Sequence, residues 1–499
     1  MATITTTTSL SFDAAASLTV GVDKNFEGRI AFTSANDDVW PSFTVTKPQS
    51  KTYGPFGIAM TVVITVGNGS LDYTINGGMG GFGYDTDGNV TGLVSGDGAL
   101  ISAAQKNGMW QGSMVEAWQT TFGGYCWRLA TELPGHARAF RVAVPKSQQG
   151  TWTVDGIAVC ATDTATSPAR YDPGAGAAWV AGTFDGVLTA KTIPVFTPPD
   201  QYQTNKPGDI VWSDWIYCST IPRVDDPTAK PMVVISIYSA STNTMTVNGG
   251  SGSDNGFGTE PMRRFDAFKA SASNATGSFS SGSSNPQCLP IMAVQWAPVD
   301  ASFSVGAFGD SIMQGTKTSP LARGYVIKTA ALLTTATGYK VSSVNAAMGG
   351  DKVISSLNRF RLYCVSGGGM PNIAMFAPYS RNSVATMSSA QMQGVAEVFI
   401  KTAFQYGVLP ALVSAIPETA TPANNATATA VNVLAQEMAT YYAIPFIDNA
   451  SIITTDNAAT YLDADGIHPN NTGDDLLAAN AATTLEPWIQ RALFVSRYR

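Results

Sequence analysis

Near residue 300 the hydrophobic pattern of this chain changes period, and that change limits its fold more than any other feature. Downstream, apolar runs of strand length alternate with segments of helical length. The strands are Phe303–Phe308, Lys340–Val344, Ile373–Tyr379, Leu409–Ala415 and Pro445–Asp448; the helices lie around 321–337, 389–406 and 423–442. In the second helix the apolar positions are Met392, Val395, Val398, Phe399 and Phe404. Such alternation with short turns predicts a parallel sheet covered by helices on both faces. In sheets of that kind reactive groups collect where the carboxyl ends of strands meet the helices.

Upstream the pattern is that of strands alone. Residues 59–66 are a β-branched run that stops at Gly67-Asn68-Gly69, and the alternating segment Leu71–Ile75 follows, so the two predict a hairpin. Glycine and aspartate crowd residues 77–98 and mark a boundary. Further strands are expected at Phe140–Val144, Thr151–Val154, Ile157–Val159, Ile210–Trp212 and Met232–Tyr238, spaced as in a sandwich or jelly roll. Residues 270–286 read as a Ser/Gly-rich loop. The expected fold is multidomain: a small β-rich unit over 1–95, a β-sandwich over 96–298 and a three-layer α/β domain over 299–499.

Charge and composition exclude several functions. The net charge is −7, and the one basic cluster, Arg263-Arg264 with Lys269, is interrupted by Asp266, so nucleic acid is not an expected partner. Only 13% of residues are charged, which leaves the surface to Ser, Thr, Asn and Gly. The five cysteines are scattered and show neither a disulfide framework nor zinc spacing. No P-loop, no GxGxxG after a strand and no HExxH occurs, so no cofactor or metal is expected. The N-terminus lacks the basic and apolar regions of a secretory signal, and no apolar stretch approaches a membrane span.

Gly309-Asp310-Ser311 directly follows the first strand of the α/β region. A hydroxyl on that turn projects into the crevice above the sheet, yet it is a poor nucleophile until a base takes its proton. The tripeptide alone decides little, because Gly-Asp recurs at Gly96-Asp97 and Gly208-Asp209 and turns favour both residues. The base is the discriminating feature. The chain has two histidines. His468 lies in Asp465-Gly466-Ile467-His468-Pro469-Asn470, where an acid three residues ahead can reach the second ring nitrogen and hold the productive tautomer. His136, in Leu133-Pro134-Gly135-His136, has no such arrangement and reads as structural.

With these blocks in view, residues 300–499 resemble the SGNH (GDSL-type) hydrolase superfamily. Ala307–Ile312 matches its serine block and Asp465–Asn470 its histidine block. Val344-Asn345-Ala346-Ala347-Met348-Gly349-Gly350-Asp351 resembles its glycine block. The asparagine block departs from the pattern: Ser380-Arg381-Asn382-Ser383 keeps only the asparagine. The resemblance implies a serine carboxylester hydrolase with Ser311, His468 and Asp465 as triad. It implies an oxyanion hole of the Ser311 and Gly350 amides, with Gly349 as an alternative, completed by the Asn382 side chain.

The substrate expectation is an O-acetylated polysaccharide. It comes by association with the β-rich region, whose Trp110, Trp118, Trp127, Trp152, Trp179, Trp212 and Trp215 include candidates for sugar stacking, although most such residues are core. The whole chain also resembles bacteriophage virion proteins such as tail fibres, tailspikes and decorations. That resemblance implies a location on the particle surface, anchorage to other virion proteins through the N-terminal unit, and compatibility with homo-oligomers. The competing expectations are a catalytically idle receptor-binding protein that retains the SGNH fold, and an intracellular lipase or thioesterase acting on long acyl chains.

Overall fold

In the computed structural model side chains are described over residues 126–490, apart from 149, 164–177, 188–189, 198, 200–208, 225–229, 241–274, 277–289, 292, 300–302, 318–323, 365–370 and 407; outside these only strand and helix backbones are. The chain forms two compact units. One comprises Met1–Ala103, Glu397–Pro410 and Ala492–Arg499; the other comprises Ala104–Ala396 and Ala411–Arg491.

In the first unit eight strands form two antiparallel four-stranded sheets. The expected hairpin is not formed. Met60–Asn68 pairs with Thr8–Phe12 and Glu27–Ser34, whereas Leu71–Asn76 pairs with Ala2–Ile4 and Ser17–Val22, in the other sheet. Alternation identifies a strand but carries no information about its partner, and here two strands consecutive in sequence belong to different sheets.

In the second unit the expected strands of the β region all occur, as Ala137–Pro145, Trp152–Val154 (without Thr151), Gly156–Thr162, Ile210–Trp212 and Met232–Ser239. A five-stranded and a four-stranded antiparallel sheet share one buried cluster. The five-stranded sheet supplies Trp127, Leu129, Ile157, Val159, Val233, Ile235 and Ile237, and the four-stranded one Phe140, Val142, Val144, Val294 and Trp296. Each fully buried side chain of this size contributes about 1.5–3 kcal/mol.

The opposite face of the five-stranded sheet is also buried: it carries Ala130, Met232 and Val234, and Trp179 packs against them. Burial on both faces explains why Met232–Tyr238 reads as one apolar run rather than an alternation. Its neighbour Tyr125–Glu132 escapes sequence reading because Arg128 and Glu132 interrupt it. Arg128 is nevertheless fully buried with its guanidinium 4.7 Å over the Trp179 ring, and Glu132 pairs with Arg223 at 2.8 Å. The tryptophans divide accordingly. Trp127 and Trp152 are core residues, while half-buried Trp212 and Trp215 stack on Arg141 at 4.6 and 5.4 Å. The side chains of Trp110 and Trp118, and residues 272–274 and 277–286 of the expected loop, lie outside the described residues, whereas Ala270 and Ser271 end the strand Arg264–Ser271 instead of opening that loop.

From residue 302 the strands become parallel. We number them β1 (Ser302–Phe308), β2 (Lys340–Asn345), β3 (Ile373–Phe376), β4 (Leu409–Val413) and β5 (Phe446–Ile447). The helices are α1 (Ser311–Gln314), α2 (Tyr325–Thr337), α3 (Val353–Phe360), α4 (Ser389–Gln405), α5 (Asn425–Tyr441), α6 (Ala458–Tyr461) and α7 (Asn471–Tyr498). Sheet order is β2-β1-β3-β4-β5. The chain therefore reverses direction across the sheet at β1, and the crevice beyond the carboxyl ends of β1 and β3 is the topological switch point where such sheets bind ligands.

In α4 the buried stripe is Met392, Ala396, Phe399, Ile400 and Ala403, at helical spacing. Val398, expected on that stripe, is 38% exposed. Two small alanines and an isoleucine take the inward positions that size alone would have given to valine. α3 was not anticipated. Its short sequence, VISSLNRF, holds polar Ser355, Ser356 and Arg359 in buried positions, which hides its apolar face.

Candidate active site

Ser311 is the first residue of α1, three residues beyond the end of β1. Asp310 caps the helix, its Oδ1 accepting the Ile312 N–H at 3.1 Å. Burial pushes the Asp310 carboxyl above the usual carboxylate range, although the Ser380 hydroxyl, the Ile312 amide and nearby His468 and Arg381 pull the other way. Asn345, at the end of β2, ties the next strand to this helix. Its Nδ2 donates to the carbonyls of Met313 and Gln314 at 3.1 and 3.3 Å, and its Oδ1 accepts the Ala347 N–H.

His468 is brought to Ser311 from 157 residues away, and its Nε2 stands 2.8 Å from the Ser311 Oγ. Its Nδ1 stands 2.7 Å from Asp465 Oδ2. Asp465 Oδ1 accepts the backbone N–H groups of Ile467 and His468 at 2.9 and 3.0 Å, which folds the loop back on itself. Burial alone would raise the Asp465 carboxyl, but the ring and these two amides outweigh it and hold it down at about 2. All three side chains keep partial contact with the surface.

The histidine loop is anchored at Gly466, whose φ of +67° is in the left-handed region. Its carbonyl accepts the N–H groups of Thr419 and Ala420, at 2.8 and 3.2 Å, from the loop after β4. A Cβ there would stand 2.4 Å from Thr419 Oγ1 and 2.9 Å from the Ala420 nitrogen. Gly466→Ala is therefore expected to destabilise the protein by about 1–3 kcal/mol and to move the imidazole off Ser311. Urea unfolding and hydrolysis rate, measured on the same preparation, check both effects.

The glycine turn places its two amides differently. The Gly349 N–H donates to Gln314 Oε1 at 2.8 Å and is already used. Gly350 is solvent-exposed with φ +79°, the third residue of a turn closed by the Asp351 N–H on the Met348 carbonyl at 3.1 Å. Asn382, after β3, donates its Nδ2 to the Asp351 carbonyl at 3.1 Å and lies 3.2 Å from the Ser380 Oγ. As it stands, this amide serves the loop. The structure thus joins Ser311, His468 and Asp465 by hydrogen bonds, and ties Asn382 to the residue that follows Gly350. His136 is elsewhere, its Nδ1 3.0 Å from Thr220 Oγ1.

Three residues at the site were not singled out in the sequence: Gln314, Ser380 and Arg359. The first could have been suspected from its place one helical turn after Ser311. The other two carry no such signal. Among the described residues no cluster of three or more His, Cys, Asp or Glu is placed to hold a metal. No helix among them is long and apolar enough to cross a membrane.

No model of a known protein family matches this chain, and no curated protein does. Solved structures do show likeness. A putative G-D-S-L lipolytic protein from Desulfitobacterium hafniense is 17% identical, covering 37% of this chain and 99% of its own, with a TM-score of 0.31. A lipase/acylhydrolase from Enterococcus faecalis is 20% identical over 37% of this chain and 96% of its own, TM-score 0.32. A variant of an acetyl-xylooligosaccharide esterase from Geobacillus is 15% identical over 37% and 94%, TM-score 0.32. Resemblance at this level assigns neither activity nor substrate to this chain.

Proposed function

We propose that the α/β domain is a serine esterase of the SGNH type. The observation that carries the proposal is the unbroken hydrogen-bonded chain from Ser311 Oγ through His468 to Asp465, at 2.8 and 2.7 Å. These are distances over which a proton passes without rearrangement. His468 Nε2 takes the Ser311 proton as the oxygen attacks an ester carbonyl. The tetrahedral oxyanion is stabilised by the Ser311 and Gly350 N–H groups, and by Asn382 Nδ2 once it exchanges Ser380 for the ligand. The imidazolium then protonates the leaving alcohol. Water, deprotonated by the same ring, releases the acid and restores Ser311. Asp465 holds the ring's tautomer and stabilises its positive charge without taking the proton.

The substrate reading is an acetyl ester on a polysaccharide, with the β-rich part of the chain as scaffold on the surface of a phage particle. It rests on the composition and on the half-buried Trp212 and Trp215 around Arg141. One observation favours the idle, receptor-binding alternative: Asn382 Nδ2 is turned to Asp351 and Ser380. Acetate release from O-acetylated polysaccharide, set against hydrolysis of short- and long-chain nitrophenyl esters, separates the readings. The proposal expects acetate release and a preference for short chains. A preference for long acyl chains contradicts the deacetylase reading, and no hydrolysis of any ester favours the idle one.

A further inference from the structure

Behind the glycine turn lies an ion pair that the proposed chemistry does not use. Arg359, in the last turn of α3, donates from Nη2 and Nε to Asp351 Oδ2 at 2.7 and 3.3 Å. Both side chains are fully buried. A buried pair is a poor source of stability, because desolvation consumes most of the Coulombic gain, and an apolar pair of equal volume often does as well. Its position suggests another use.

Asp351 is the hub of the oxyanion side of the site. Its backbone follows Gly350 directly, and its N–H closes the turn on Met348. Its carbonyl accepts Asn382 Nδ2 at 3.1 Å and the Ser380 hydroxyl at 2.8 Å. Arg359 Nη2 also lies 3.4 Å from the Met348 sulfur, and the Met348 N–H is held by the Gly309 carbonyl at 3.0 Å. One guanidinium therefore grips both ends of the Met348–Asp351 turn. Two of the three proposed oxyanion donors hang from the residue it neutralises.

We infer that Arg359 is a positioning residue for the oxyanion hole, acting through Asp351. It aims the Gly350 N–H and Asn382 Nδ2, and it cancels a carboxylate charge that would oppose the negative oxygen forming nearby. The inference rests on the esterase reading above and assigns to that site a residue that touches neither substrate nor Ser311.

The test is kinetic, on the full-length chain, with active serines counted by fluorophosphonate titration. In Arg359→Met, kcat for nitrophenyl acetate per titrated serine is expected to fall about 10- to 100-fold with KM changed less than about twofold. Arg359→Lys, which restores the charge but not the two-pronged grip, recovers part of the loss. Asp351→Asn, the milder change, gives an intermediate loss and carries the test if Arg359→Met does not fold. A residue that merely supports the fold would lower the number of titratable sites and the melting temperature while leaving kcat per site at the wild-type value. That result, in folded Arg359→Lys and Asp351→Asn alike, overturns the inference. A wild type that neither hydrolyses the ester nor takes the label overturns the esterase reading itself, and this inference with it.

Discussion

Ser311→Ala is expected to lower kcat for nitrophenyl acetate roughly a million-fold while leaving the fold intact. So large a loss follows from how the three side chains act. Once the Oγ is gone, His468 Nε2 has no oxygen to activate and Asp465 has no charged ring to stabilise, so losing one member forfeits nearly the whole triad. What survives is the residual advantage of bound substrate and oxyanion donors, about a thousand-fold or more over water. Ser311 is only half-buried and the exchange removes a single hydrogen bond, the one to His468 at 2.8 Å. Its loss is worth about 1 kcal/mol of stability at most. Steady-state rates together with a melting curve separate the two quantities.

Asp465→Asn is the second large effect, a loss on the order of ten-thousand-fold in kcat. An amide still packs where the carboxylate does, but it no longer favours the tautomer with the proton on Nδ1, and it does not stabilise the imidazolium. The same residue has a smaller signature in stability. Its folded carboxyl is held at about 2, below the unfolded value of about 3.9. A depressed carboxyl contributes stability that is fully present above the unfolded value and is lost as pH falls through about 2. The side chain is partly exposed, so the contribution is modest, and Asp465→Asn should flatten the acid limb of the melting-temperature profile between about pH 4 and 2.

Much of the α/β domain was legible because its helices and strands differ in period. The strands from Phe303 to Asp448 and the long helices after Ser389 follow from that contrast, with ends shifted by a few residues. Ser311, His468 and Asp465 were legible for a different reason: a chain with two histidines, one of them three residues after an aspartate in a glycine turn, offers few other bases.

What the sequence hid is polar and long-range. Arg359 reads as an ordinary surface residue at the end of an unnoticed helix, since nothing local reveals that Asp351 neutralises it in the interior. Gln314 and Ser380 owe their roles to carbonyls and amides that only the folded backbone brings near. The failed hairpin at 60–76 has the same origin, because β-pairing is decided by partners far along the chain.

Fluorophosphonate labelling at neutral pH, followed by mapping of the modified peptide, tests the central claim most directly. The account predicts one phosphonyl group, on Ser311, and labelling at least about a thousand-fold slower in His468→Ala. Unmodified Ser311, or equal labelling with and without the imidazole, would contradict it.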